Sequence, residues 1–189
     1  MHPALNKYFE GKINFSPEHE ILVSSCFKIR STTRNEMLIQ KGTVARNLYF
    51  VVKGCLRVFL TADDGKEYTR FLIFEGRMGT AFPSFILKEP SVASVQSIKP
   101  SELMVLSYTD REMLQKEVPG WETMDRIGVE HEYIAAIQRI ESLISLSSNA
   151  RYTFLLKNNP EIIQRLPSKI AADYLGISQE TLSRLKSKK

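Results

Sequence analysis

The stretch from Pro167 to Lys189 reads P-S-K-I-A-A-D-Y-L-G-I-S-Q-E-T-L-S-R-L-K-S-K-K, and its spacing leaves few folds open to it. Ile170, Ala171, Tyr174 and Leu175 recur at helical spacing, Gly176 can adopt the left-handed conformation that ends a helix, and Ser178 can cap the next one. Two short helices joined by a tight turn are expected. In the second, Leu182 and Leu185 point inward, which leaves Gln179, Glu180, Ser183, Arg184 and Lys186 for the outer surface. A pair of helices in this arrangement can lay the second one in the major groove of DNA, where such side chains reach base edges and phosphates.

Charge agrees. Residues 151–189 hold eight Lys/Arg against three Asp/Glu, whereas residues 1–150 hold eighteen of each, so the net charge of +5 resides in the tail. A basic segment attracts a polyanion by releasing its counterions, and such contacts are strongly salt-dependent. A merely solvated basic end would account for Lys186, Lys188 and Lys189, but not for the ordered apolar spacing upstream.

At 189 residues, 43% hydrophobic and 25% charged, the chain can bury one good core and a smaller second one. No apolar run approaches the roughly twenty residues that span a bilayer, and the start, M-H-P-A-L-N-K-Y-F, lacks the apolar core of a secretory signal. A cytoplasmic location and no membrane partner are expected. Cys26 and Cys55 are too few for a disulfide framework or a four-cysteine metal site, and their apolar neighbours suggest buried, reduced thiols.

Upstream the texture changes twice. Residues 1–30 read as helical, with S-P-E-H-E starting a helix at Ser16 and Pro17. From Met37 to about Ser107, short β-branched and aromatic stretches broken by Gly42, Gly54, D-D-G, Gly76 and Gly79 read as an antiparallel β domain. L-Y-F-V-V-K-G and L-R-V-F-L are strands, and A-D-D-G-K at 62–66 is a hairpin turn, a pattern that suits a jelly roll. Near Tyr108 the pattern turns helical again, with Thr109 as a possible cap, and a helix of about 26 residues, near 39 Å long, follows from Trp121 to about Leu146. Ile127, Ile134, Ile137, Ile140 and Ile144 fall largely along one side of it, and this length of apolar edge suits pairing with a second copy of the chain. S-S-N at 147–149 is expected to hinge. The fold class is therefore α+β: an N-terminal antiparallel β jelly roll with flanking helices over 1–120, a long dimerisation helix and hinge over 121–149, and a C-terminal helix-turn-helix over 150–189.

Jelly rolls also house metal-dependent enzymes, which need two or three histidines and a carboxylate inside the barrel. His2, His19 and His131 all lie off the expected strands, and no nucleophile motif such as G-x-S-x-G is present. No catalysis, metal or cofactor is expected. The rival reading is a ligand-binding or protein-interaction roll whose terminal helices never touch DNA.

The order of roll, long helix and helix-turn-helix, with L-Y-F-V-V-K-G-C-L-R-V around Gly54 and G-I-S-Q-E-T-L-S-R-L in the tail, resembles the catabolite activator and fumarate-nitrate regulator (Crp/Fnr) superfamily of bacterial transcription factors. The resemblance implies a homodimeric regulator with double-stranded DNA as partner and RNA polymerase as a further one. It implies that Glu180 and, four residues on, Arg184 face the bases, that Gln179 faces DNA and that Thr181 touches phosphate. Ser178, Ser183, Lys186 and Lys188 complete the expected DNA-binding set. A Glu can accept from cytosine and an Arg can bond guanine twice.

Two departures from the family pattern matter. Members that bind cyclic nucleotide carry G-E-L and then R-S or R-T, a Glu for the ribose and an Arg for the cyclic phosphate. Here the matching stretches are G-T-A at 79–81 and P-S-V at 90–92. Burying a phosphate without a cation is unfavourable by several kcal/mol, so cyclic AMP held in the usual way is not expected. Gly79, Thr80, Ala81, Ser91 and Val92 are the expected lining of a pocket for an unknown, less charged small-molecule effector, with Arg77 and Lys88 as nearby cations. Relatives also continue past the recognition helix into a β-hairpin wing, whereas this sequence ends at Lys189. Weaker phosphate grip with preserved base preference is the expectation.

Overall fold

The computed structural model describes residues 1–187; Lys188, an expected DNA contact, lies outside the described residues. The chain divides into two compact units, Met1–Thr61 with Arg70–Ile127, and Ala62–Thr69 with the residues from Gly128 onward.

In the first unit, α1 (Pro3–Phe9) and α2 (Pro17–Cys26) precede β1 (Phe27–Thr32), β2 (Met37–Ile39), β3 (Asn47–Lys53), β4 (Cys55–Thr61), β5 (Glu67–Phe74, whose first three residues count with the second unit) and β6 (Met78–Gly79). Next come α3 (Phe82–Leu87), β7 (Ala93–Ser97), β8 (Ser101–Ser107), α4 (Tyr108–Glu117) and the start of α5 (Trp121–Ser145). The strands form two four-stranded sheets, in the orders β1-β8-β3-β6 and β2-β7-β4-β5. Consecutive β3 and β4 thus lie in different sheets, the crossing that makes a roll. The sheets close on Ile39, Tyr49, Val51, Leu56, Val58, Ile73, Val95 and Leu103, a core fed by both. Gly54 makes the corner between β3 and β4 at φ +118°, where any Cβ would sit 2.0 Å from Ser101 Oγ.

A second core gathers the helices against the first sheet: Leu5 and Phe9 of α1, Val23 of α2, Leu114 of α4 and Trp121 of α5 bury with Phe27, Phe50 and Leu106. Both Cys26 and Cys55 are buried and unbridged, as their apolar neighbours indicated. Ser16 caps α2 by accepting from the His19 N–H at 3.2 Å, as S-P-E-H-E suggested.

Two local expectations change. Residues 27–30 do not extend the leading helix but begin β1, paired with β8 from Phe27 opposite Leu106 to Thr32 opposite Ser101. Their strand state is imposed by a distant partner. The α4 cap is Ser107, whose Oγ accepts from the Asp110 N–H at 3.0 Å, and Thr109 lies inside the helix.

The second unit holds the rest of α5, then α6 (Ser148–Asn158), α7 (Pro160–Arg165), α8 (Ser168–Leu175) and α9 (Gln179–Ser187). The expected hinge at 147–149 is short, because Ser147 caps α6 by accepting from the Ala150 N–H, so the helix restarts at Ser148. Tyr152, Leu155, Ile162, Leu166, Ala171, Ala172, Leu175 and Leu182 are the buried apolar residues of these last helices.

Candidate nucleic-acid interface and effector cavity

The turn between α8 and α9 is built by the residues that announced it. Gly176 adopts φ +66° and its N–H returns to the carbonyls at the end of α8. Ser178 Oγ then accepts from the Thr181 N–H at 3.1 Å, which starts α9. Leu182 is wholly buried and Leu185 partly so, while Ser178, Gln179, Glu180, Ser183 and Arg184 are exposed and Thr181 and Lys186 half-exposed. The polar face of α9 therefore stands clear of its own unit's core.

Hydrogen bonds order this face before any ligand arrives. Thr181 Oγ1 accepts from Arg184 Nη2 at 3.2 Å and from the Ser178 hydroxyl at 3.2 Å, so the guanidinium is tethered one turn along. Lys186 Nζ donates to Ser168 Oγ at 3.4 Å. The Ser178 hydroxyl and the backbone amide of Glu180 itself hold the Glu180 carboxyl below its ordinary range, so it stays ionised at the positive end of α9.

Two arginines that sequence spacing did not single out fasten the turn. Arg151 donates from Nε to the Leu175 carbonyl at 2.9 Å, from Nη1 to Leu146 at 2.6 Å and from Nη2 to Gly176 at 3.4 Å. Arg139 donates to the Tyr174 carbonyl at 2.6 Å and to Thr69 at 3.0 Å, with its guanidinium 3.9 Å over the Tyr174 ring. Burial holds the Arg139 guanidinium below its ordinary pKa. The Thr69 N–H in turn donates to the Asp173 carboxylate. The last carbonyls of a helix lack intrahelical partners, and a guanidinium satisfies them while complementing the dipole. Arg151, counted in the basic tail, is thus spent on the fold and not on the surface.

In the first unit, a cavity of about 130 Å³ opens between α3 and the chain from Glu89 to Ala93, with Arg70 of β5 at its side. Of the residues expected around an effector pocket, Ser91 and Val92 lie on the wall of this cavity. Gly79, Thr80 and Ala81 do not: Gly79 pairs with Tyr49, Thr80 Oγ1 donates to the Asn47 carbonyl at 2.7 Å, and Ala81 is buried at the head of α3. Of the cations weighed for it, Arg77 is exposed elsewhere, and Lys88 lies with Nζ 4.1 Å over the Tyr108 ring and 4.0 Å from Glu112. The cation that lines the cavity is Arg70, which sequence reading passed over as one polar residue in a strand. An arginine inside Y-T-R-F-L-I-F was the only signal available.

The roll of two antiparallel sheets is the architecture of a cyclic nucleotide-binding domain, and a long helix and a capped helix-turn-helix follow it in sequence. Residues 29–117 match the cyclic nucleotide-binding domain family, and the chain has the fold of the Crp/Fnr-family regulators, as the motifs around Gly54 and Gly176 suggested. FixK2 from Bradyrhizobium japonicum is similar at TM-score 0.72 and 18% identity over 86% of this chain and 83% of that one. The c-di-GMP-responsive global regulator CLP of Xanthomonas campestris is similar at TM-score 0.72 and 18% identity, covering 92% of this chain and 91% of that one. The catabolite activator protein of Thermus thermophilus is similar at TM-score 0.60 and 23% identity over 96% of this chain and 85% of that one. At these identities the likeness is one of fold. No curated protein matches the chain in sequence. Among the described residues, no helix is long and apolar enough to cross a membrane.

Proposed function

We propose that the chain is a sequence-specific DNA-binding transcriptional regulator of the Crp/Fnr type, a homodimer acting on a palindromic site. The observation that carries this reading is the outer face of α9, where Gln179, Glu180, Ser183 and Arg184 stand exposed beyond a turn capped at both ends. Arg184 reads guanine, Glu180 accepts from cytosine, and Ser178, Thr181 and Lys186 meet phosphate. RNA polymerase is the partner through which the bound dimer acts. Residues 1–120 serve as sensor, 121–149 as spine and 150–189 as DNA reader.

The spine is α5. Ile134, Ile140 and Ile144 are 52%, 51% and 80% exposed, with Ile127 and Ile137 also open to solvent. Covering an isoleucine side chain contributes roughly 1.5–3 kcal/mol, so a row of them supports pairing with a second copy. Two α9 helices then enter successive major grooves about 34 Å apart. An effector in the roll, other than cyclic AMP, acts by binding unequally to spine arrangements that do and do not set this spacing.

Replacing Arg184 with Ala is expected to flatten preference among duplex sequences, with about 1–3 kcal/mol lost on the preferred site. Fluorescence anisotropy at low and moderate salt measures it, beside a chain in which Arg184 and Lys186 are both Glu. If neither chain holds random duplex at low salt, or both hold it equally, α9 makes no contact with DNA and the rival reading of a binding roll whose terminal helices never touch DNA takes its place. Ile140→Asp is expected to move the sedimenting species from dimer to monomer, and a native chain that sediments as a monomer at micromolar concentration refutes the spine.

A further inference from the structure

Arg70 is the one cation on the wall of the roll's cavity, and its Nε is buried with no hydrogen-bond partner. The only acid on that wall, Glu89, makes no ion pair with it among the described residues. A buried N–H donor left without an acceptor is costly, and partial burial holds this half-buried guanidinium below its ordinary pKa. A carboxylate is the group whose geometry a guanidinium matches with two parallel hydrogen bonds.

The rest of the wall narrows the choice. Pro83, Leu87, Pro90 and Val92 make it chiefly apolar. Its two hydroxyls are already spent, Ser84 Oγ donating to the Glu89 carbonyl at 2.5 Å and Ser91 Oγ to the Ala93 carbonyl at 2.7 Å. With no second cation and no free O–H donor, the site matches a single charge and not a phosphate of about −1.5 to −2. A volume of about 130 Å³ is close to that of an apolar protein cavity of about 150 Å³ that accepts benzene, and far short of a nucleotide.

We infer that this cavity binds a small organic carboxylate, its apolar body against Pro83, Leu87 and Val92 and its carboxylate forked onto Arg70. The inference deepens the sensor reading above by naming the chemical class of effector. Arg70, from β5, takes up the anion-pairing role left vacant where Pro90, between α3 and β7, stands in place of the arginine of cyclic-nucleotide binders.

Isothermal calorimetry on the full chain without DNA tests it, using butyrate and benzoate against their neutral amides, with inorganic phosphate and cyclic AMP as further arms. At least one acid is expected to bind with a Kd of about 1 mM or tighter and about tenfold or more above its amide, since hydrogen bonds to charged groups are the stronger ones. Arg70→Met is expected to erase the acid–amide difference and Arg70→Lys to keep part of it. Equal binding of acid and amide, no binding of either acid at about 10 mM, tighter binding of phosphate or cyclic AMP, or an Arg70→Met chain with the native preference would each overturn it. The acid–amide comparison on the native chain decides the matter should Arg70→Met not fold. Because no DNA is present, a chain indifferent to carboxylates can still pass the Arg184 test, and one indifferent to DNA can still pass this one.

Discussion

Leu182→Ala is expected to abolish the proposed DNA binding and to leave the roll folded. Leu182 is fully buried on α9, and the buried set of the closing helices is small. Truncating a buried leucine costs about 2–5 kcal/mol, the high end applying where the surroundings cannot collapse into the space. Here the neighbours are pinned: Arg151 ties the end of α8 and Gly176, and Ser178 fixes the start of α9. A small helical unit has little stability to spare, so α9 loses its fixed seat and the face bearing Gln179 and Arg184 is no longer presented as one surface. Trp121, the chain's single tryptophan, lies in the core of the other unit and reports separately on it. The expected pair of results is native-like Trp121 fluorescence with duplex affinity reduced to background. Native affinity in the Leu182→Ala chain would show that α9 does not make the contact.

Gly54→Ala destabilises the first unit by about 3 kcal/mol or more, the sum of a strained positive φ and a steric overlap. The backbone at Gly54 has φ +118°, and the added methyl would meet Ser101 Oγ at 2.0 Å, Ser101 Cβ at 2.4 Å and Ser101 Cα at 2.9 Å. The first two atoms belong to a side chain whose Oγ is bonded to the Lys99 carbonyl, and the third is backbone of β8. None can move without loosening the corner. Urea unfolding followed by Trp121 fluorescence measures the loss. In a Ser101→Gly background the overlap with side-chain atoms vanishes while the φ strain stays, so Gly54→Ala should cost less there. An equal cost in both backgrounds would place the whole effect in the backbone conformation.

The two proposed sites were unequally legible. The DNA-reading face could be read because each of its determinants is local: Gly176, Ser178 and Leu182 lie within seven positions, and each acts on its own turn or cap. The roll was legible as strands, and the substitutions at Thr80 and Pro90 were visible against the family pattern, yet the residues around the cavity were not. Thr80 turned out to serve β3, and Lys88 the Tyr108 ring.

What the chain's order of residues determined alone is the run of elements and the chemistry of α9, because capping, glycine conformation and apolar periodicity act over one or two turns. What only tertiary structure decided is which distant groups meet: Phe27–Thr32 as a strand paired with β8, Arg151 and Arg139 as clasps on the end of α8, and Arg70 as the cation of the cavity. A strand's pairing and an arginine's partner are set by groups far away in sequence, and no local preference encodes them.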